Sequence, residues 1–458
     1  MSGLEASTDK MRAEGVGDAA VKAFADAYKR LRGGETGVLP EAEIEPVEEL
    51  PEADELPDAD ARDVLDRAVV VKLNGGLGTS MGMTGPKSLV EVKDGLTFLD
   101  IIVRQVLDLR ERTGARLPLV LMNSFSTRDA SLEALERHEG IRGDVPLDFV
   151  QNKVPKLLAD GLEPAEWPDD PSLEWAPPGH GDLYTALVTS GILDDLLGAG
   201  YRYAFVSNAD NLGAVLDPRI LAWVAAEEVP FAMEVADRTE ADRKGGHVAR
   251  RRDGGGLVLR EIAQTPDEDA DAFQDISRHR YFNTNTLWVD LEALRALLDE
   301  RGGVLGLPMI VNRKTLDPTD KGSPEVIQLE TAMGAAIDVF DGARALRVPR
   351  TRFAPVKTTN DLLALRSDAY VLTEDARVVP AEGRDGPPIV ELDDEHYRLL
   401  PDFEARFAAG PPSLVACERL QVDGDVRFGR GVVVRGAVRV EHSGDDQLRI
   451  EDGTVLEG

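Results

Sequence analysis

The sequence predicts an α/β protein built on a mostly parallel, doubly wound sheet of Rossmann-like type, followed by a C-terminal β-helical region. Three observations carry this expectation. Short apolar, β-branched runs at residues 69–71, 119–121, 149–150 and 204–206 are each bounded by polar turns, the composition of strands buried on both faces. Between the first two runs, Leu99, Ile102, Val103 and Val106 follow helical spacing, with Thr97 as N-cap and Gly114 as stop. Strand, helix, strand in that order implies a parallel sheet whose ligands sit beyond the carboxyl ends of its strands. Residues 420–438 instead repeat a few apolar residues followed by Gly or Asp, as solenoid coils of short strands do, with an ordinary β-meander as the alternative.

Taken from the N-terminus, Val21, Phe24, Tyr28 and Leu31 mark an amphipathic helix that Gly33-Gly34 ends. Residues 36–61 are acidic and punctuated by Pro40, Pro46, Pro51 and Pro57, which reads as a linker or extended strap whose charges form a solvated tether. At 458 residues the chain exceeds what one core usually organises. The expected division is residues 1–60 for the helix and acidic linker, 61–374 for the catalytic domain and 375–458 for the β-helix-like domain.

Composition narrows the function. With 42% hydrophobic and 30% charged residues the chain is globular, and no apolar run is long enough to cross a bilayer. The N-terminus lacks a secretory pattern, so the expected location is the cytoplasm. The single Cys417 falls in no motif and reads as an apolar filler. A net charge of −32 excludes a surface built for nucleic acid, and requires any anion site to gather its cations and backbone N–H groups at one place.

That place follows the first strand: Lys72-Leu73-Asn74-Gly75-Gly76-Leu77-Gly78-Thr79-Ser80-Met81-Gly82-Met83-Thr84-Gly85-Pro86-Lys87-Ser88. Its glycines let backbone N–H groups approach a phosphate chain or a flat base, and Lys87 adds a positive charge. Pro86 breaks the Walker A pattern, and Gly82 comes one residue late for the dinucleotide fingerprint. Asn208 and Asp210 close another apolar strand at the edge where such a sheet places its ligand, and a carboxylate there suits Mg²⁺ held against phosphate oxygens. His180 sits between two glycines after Pro177-Pro178, a ligand-facing loop rather than a core setting.

The loop at residues 73–79 followed by Gly85-Pro86-Lys87-Ser88 resembles the nucleotide loop of the eukaryotic-type UDP-glucose pyrophosphorylases. Further matches follow in that family's order: Met122-Asn123-Ser124-Phe125, Gln151-Asn152-Lys153-Val154-Pro155, Pro177-Pro178-Gly179-His180-Gly181-Asp182 and Ser207-Asn208-Ala209-Asp210. Lys244-Gly245-Gly246, Phe282-Asn283-Thr284-Asn285, Val326-Ile327-Gln328-Leu329-Glu330 and Val356-Lys357-Thr358-Thr359-Asn360 complete the series. Met83 stands where the family commonly has cysteine, and Thr286 where a second asparagine is usual.

The resemblance implies a nucleotidyltransferase domain that joins UTP to glucose 1-phosphate, giving UDP-glucose and pyrophosphate with Mg²⁺ as cofactor. It implies Lys87, Lys357 and His180 as catalytic charge-stabilising and positioning groups, and Asp210 as metal ligand. Leu73, Asn74, Gly75, Gly76, Met122, Gln151, Gly179, Ser207 and Asn208 would hold the nucleotide, with Gln151 and the Gly75-Gly76 backbone on the uracil. Gly246, Glu261, Asn283 and Asn285 would hold the hexose, Asn283 and Asn285 sharing one face of a strand by alternation. No nucleophile–base set appears at these positions, so the expected chemistry is direct displacement at phosphorus. Other readings kept open are an N-acetylhexosamine 1-phosphate or broad-specificity UDP-sugar pyrophosphorylase, and a nucleotide-sugar-binding regulator without turnover. A homo-oligomer formed through the C-terminal domain is the expected assembly.

Overall fold

The computed structural model describes residues 2–384, 386–444 and 446–458. The central sheet contains β1 (Ile44–Pro46), β2 (Ala68–Asn74), β3 (Leu119–Asn123), β4 (Asp148–Val150), β5 (Tyr203–Asn208), β6 (Phe231–Asp237), β7 (His247–Arg251), β8 (Leu257–Arg260), β9 (Tyr281–Asp290) and β10 (Arg344–Arg347). Its order is β1-β7-β9-β5-β2-β3-β4, with β6 and β10 continuing from β9, and β8 from β7. β2, β3, β4 and β5 pair in parallel. The antiparallel β9 then reverses the pattern, so β6, β7 and β10 run with the parallel group while β1 and β8 run against it.

Side-chain alternation explains why these runs read as continuously apolar. On β2, Ala68 and Val70 enter one core while Val69 and Val71 enter the other, and on β5 Tyr203 and Phe205 part from Ala204 and Val206 in the same way. The expected helix becomes α3 (Phe98–Thr113), which follows α1 (Gly3–Ala13) and α2 (Asp18–Arg32) in the chain. Thr97 and Asp100 form a capping box at the start of α3, and Gly114 ends it in the left-handed conformation at φ 75°. None of the helices among the described residues is long and apolar enough to cross a membrane.

The acidic segment after α2 is not a solvated tether. Its β1 residues add an edge strand to the sheet, and Glu41 accepts hydrogen bonds from Arg260 Nη1 at 2.6 Å and Arg278 Nε at 2.7 Å. Glu52 pairs with Arg347. The sequence reading missed these contacts because every partner lies some 200 residues or more away.

At the C-terminus, β11 (Ile389–Leu392), β12 (Cys417–Asp423), β13 (Val433–Glu441) and β14 (Val455–Glu457) pair in parallel, stacking Val390, Leu420 and Val438 in one column. Cys417 is fully buried, and burial pushes its thiol up to about 11. This region shares a core with the catalytic part: Leu363 and Leu365 belong to the same apolar cluster as Leu392, Phe403 and Leu414. Asp368 accepts hydrogen bonds from the Leu414 and Val415 N–H groups at 2.7 and 2.9 Å. Removing residues 375–458 would therefore expose several large apolar side chains, each worth about 1.5–3 kcal/mol when buried. The truncated chain is expected to aggregate, or to melt about 10 °C or more below the full chain in a thermal scan. A soluble fragment melting at the parent temperature would show that the two parts have separate cores.

Candidate active site

The four parallel strands deliver the site. An open cavity of about 340 Å³ lies at their carboxyl ends, lined by Leu73 and Asn74 from β2, Met122 from β3, Gln151 just after β4 and Asn208 at the end of β5. Gly75, Gly76, Lys87, Ser88, Pro177, Gly179, His180, Ala209 and Asp210 complete its wall. Leu73, Asn74, Gly75, Gly76, Lys87, Met122, Gln151, Gly179, His180, Asn208 and Asp210 of the expected set are thus brought together. Ser88, Pro177 and Ala209 line the same cavity; they lie within the matched motifs, and no role of their own was legible in the sequence.

The glycine loop folds back on itself, the Lys87 N–H donating to the Gly76 carbonyl at 3.0 Å. Gln151 lies against Gly75, where its side-chain oxygen would be 3.1 Å from an added Cβ. Asn74 is buried and its amide donates to Asn123 Oδ1 and Ser131 Oγ, so it meets the cavity through its backbone. Ser207 departs from expectation: it is fully buried, and its hydroxyl accepts from Lys72 Nζ at 2.6 Å. Its side chain faces the core rather than a nucleotide. Lys72 is the more telling residue, an ammonium inside an apolar strand whose pKa burial lowers to about 7.

Two charged groups dominate the cavity. Lys87 Nζ donates to Asp210 Oδ2 at 2.7 Å, with side-chain exposures of 15% and 25%, so each neutralises the other. Asp210 is held in place by its main chain: the Val356 N–H donates to its carbonyl at 3.2 Å, bringing the neighbouring Lys357 beside it. Asn211 clamps the same contact, its Oδ1 accepting from the Ala354 N–H at 2.9 Å and its Nδ2 donating to the Arg352 carbonyl at 3.2 Å. Lys357 itself is exposed and is not among the residues that line the cavity, with no ion-pair partner among the described residues.

His180, expected to face the ligand as a charge-stabilising and positioning group, does line the cavity. Its Nδ1 accepts the Met333 N–H at 3.0 Å, leaving Nε2 as the protonated nitrogen in the neutral ring. Neighbouring protein lowers its pKa below the usual imidazole value, and the residue's exposure to solvent opposes that shift without reversing its direction. His180 is thus a neutral hydrogen-bond donor at pH 7. Its loop depends on Gly179, which has φ +79° and no room for a Cβ against the Thr331 backbone.

The expected hexose residues form a second cluster linked to the first through the Met333-Gly334 segment. Gly334 leaves no Cβ-sized gap beside Asn283 Nδ2, and the Asn283 N–H donates to the Gly246 carbonyl at 2.9 Å. A side chain at 246 would strike the Glu261 carboxylate, which burial raises in pKa. Asn283 and Asn285 do meet, Asn283 Nδ2 donating to Asn285 Oδ1 at 2.9 Å, but not by simple strand alternation. The β6–β9 register shifts between Glu234 and Val235, and Asn285 takes φ +57°, a bulge that re-aims the pair.

A nucleotide-sized cavity at the carboxyl ends of parallel strands, walled by a glycine loop, an amide and a lysine–carboxylate pair, defines a nucleotide-binding α/β fold of the nucleotidyltransferase class. The chain belongs to the UTP–glucose-1-phosphate uridylyltransferase family, whose model matches residues 21–435. It is 43% identical over 398 residues to the UTP–glucose-1-phosphate uridylyltransferase of Solanum tuberosum, spanning 86% of this chain and 81% of that protein. A variant of the Leishmania major UDP-glucose pyrophosphorylase, solved in complex with UDP-glucose, superposes with a TM-score of 0.93 at 47% identity, covering 100% of this chain and 98% of that one. The Trypanosoma brucei enzyme gives 0.90 at 48% identity, covering 99% and 98%.

Proposed function

We infer that this chain acts as its family does, converting UTP and glucose 1-phosphate to UDP-glucose and pyrophosphate. The observation that carries the reading is the convergence of the Gly75-Gly76 backbone, Gln151, Lys87 and Asp210 on one cavity, in a chain that belongs to this family. A phosphate oxygen of glucose 1-phosphate attacks the α-phosphorus of UTP, the bond from that phosphorus to the bridging oxygen breaks, and pyrophosphate leaves with the electron pair. The nucleophile is already ionised at neutral pH, so no protein base is required. Catalysis then rests on holding the two substrates in line and on stabilising charge.

In this reading Gln151 and the Gly75-Gly76 backbone hold the uracil edge, while Lys87 moves from Asp210 onto the triphosphate. Lys357 enters from the rim, and neutral His180 donates to a phosphate or hexose oxygen. Glu261, Asn283 and Asn285 address the sugar hydroxyls. Among the described residues no cluster of three or more His, Cys, Asp or Glu side chains could form an all-protein metal cage. That suits Mg²⁺, which usually takes one or two carboxylates and completes its shell with waters and substrate phosphates. Asp210 would hold it, and when bound it would supply charge neutralisation at the phosphate oxygens. We further propose that residues 375–458 form a β-helical lobe through which copies of the chain associate, and that the enzyme works in the cytoplasm.

The testing experiment is pyrophosphate release with each nucleoside triphosphate paired against glucose 1-phosphate and N-acetylglucosamine 1-phosphate. UTP with glucose 1-phosphate is expected to be preferred strongly over ATP or GTP, because a purine would not fit where Gln151 meets Gly75. Equal rates with ATP would overturn the reading, and a preference for the N-acetylated sugar would move the substrate to the amino-sugar phosphates.

A further inference from the structure

We propose that Asp182, acting through Asn152, is a positioning residue that sets uracil-reading Gln151 and His180 in register across the nucleotide cavity. The proposal rests on the nucleotide role of Gln151 given above. Asp182 opens α4 (Asp182–Thr189) directly after the Gly179-His180-Gly181 loop, and is only 4% exposed. Its Oδ2 accepts the Asn152 main-chain N–H at 2.6 Å, and its Oδ1 accepts Asn152 Nδ2 at 3.0 Å. At the far end of α4, Thr189 Oγ1 donates to Asn152 Oδ1 at 3.2 Å. Asn152 is therefore gripped from both ends of one helix, and Gln151 is its immediate neighbour in the chain.

The remaining contacts give the pair its leverage. The Gln151 N–H donates to the Asn123 carbonyl at 2.8 Å, so its position is fixed by β3 on one side and by Asp182 on the other. The His180 loop is fixed against the Thr331 and Met333 main chain. The Asp182–Asn152 bonds tie the His180 loop to the Gln151 loop, closing a connection that the antiparallel pairing of Val154 with Ala176 begins. Behind them is a smaller cavity of about 80 Å³, walled by Phe24, Ala27, Tyr184 and Leu307, whose cation, Arg30, is paired with Glu35 rather than with Asp182. No ion pair reaches Asp182 among the described residues, and burial raises its pKa to about 7. A buried carboxyl without a cation opposes stability. Its hydrogen bonds into Asn152 are what the fold gains from it, and they end one residue from Gln151 on the cavity wall.

The test compares Asp182→Ala, Asp182→Asn and Gln151→Ala with the parent chain, measuring kcat and KM with UTP and with CTP, together with melting temperature. Asp182→Ala is expected to raise KM for UTP and to reduce the UTP-over-CTP preference in kcat/KM, each by about tenfold, as befits loss of a charged hydrogen bond that fixes the reading amide. Asp182→Asn keeps an acceptor for the Asn152 N–H and is expected to recover most of that preference. A purely structural residue would lower the melting temperature and leave the preference of the folded fraction unchanged. If Gln151→Ala collapses the UTP preference while Asp182→Ala and Asp182→Asn both leave it within twofold of the parent, the positioning role is wrong and the reading of Gln151 stands. If Gln151→Ala itself leaves the preference intact, the reading of Gln151 falls and the proposal falls with it. Should Asp182→Ala fail to fold, Thr189→Val, which removes the hydroxyl at the other end of the grip, decides the matter by the same ratio: a reduced UTP preference supports the positioning role, and one within twofold of the parent overturns it.

Discussion

Replacing Lys87 by alanine is expected to lower turnover by about 10² to 10³ while the protein stays folded. The ammonium is the cavity's one buried-side cation, 15% exposed and held by Pro86 at the end of the glycine loop. As pyrophosphate departs, negative charge grows on oxygens that no other lysine lining the cavity faces. Removing one preorganised donor to such charge typically reduces kcat by that factor, equivalent to about 3–4 kcal/mol of transition-state stabilisation. Stability should respond far less, because the Lys87–Asp210 pair opens to the cavity and partly solvated pairs contribute only about 0–1 kcal/mol. Steady-state rates and melting temperature, measured on the same preparation, separate the two roles. A variant that melts early yet turns over normally per folded molecule would make Lys87 a structural residue and remove it from the chemistry.

Elements set by neighbours in the chain were legible, and those set by distant partners were not. The start of α3 could be read because Thr97 and Asp100 cap each other within one turn. The parallel strands could be read because burial on both faces leaves no polar alternation. The cavity itself was largely legible, since its residues follow the ends of those strands in fixed motifs. By contrast, the acidic strap was misread: Glu41 meets Arg260, Arg278 and His279, which belong to a different part of the sequence. His180 was legible as a ligand-facing ring, while only the Met333 N–H on its Nδ1, far along the chain, marks Nε2 as the donor. The bulge at Asn285 was invisible for a related reason. Asparagine tolerates the left-handed region, but nothing local states that the β6–β9 register shifts there.

Asp210→Asn is expected to move two measurements in opposite directions. Turnover should fall by about 10² to 10³ if Asp210 holds Mg²⁺ as proposed, because an amide is a poor ligand for that ion and would leave charge on the phosphates less neutralised. Binding of UTP without metal should instead tighten, by about two- to fivefold. In the resting chain Asp210 occupies Lys87 at 2.7 Å, so a triphosphate entering alone must take the lysine from the carboxylate and leave that carboxylate near its own negative charge. An asparagine removes both obstacles, and the gain is about the 0.5–1 kcal/mol that a partly solvated ion pair contributes. Calorimetric titration of UTP in the presence of a chelator reads this directly, and adding Lys87→Ala to Asp210→Asn should abolish the gain, since the two residues act through one contact. On the proposed roles, the pair keeps two opposite charges close together in a chain of net charge −32, and nucleotide and cation would be stronger partners for the site together than separately. If Asp210→Asn weakened metal-free UTP binding as much as Lys87→Ala does, the carboxylate would be supporting the nucleotide rather than competing for its lysine, and this account of the pair would be wrong.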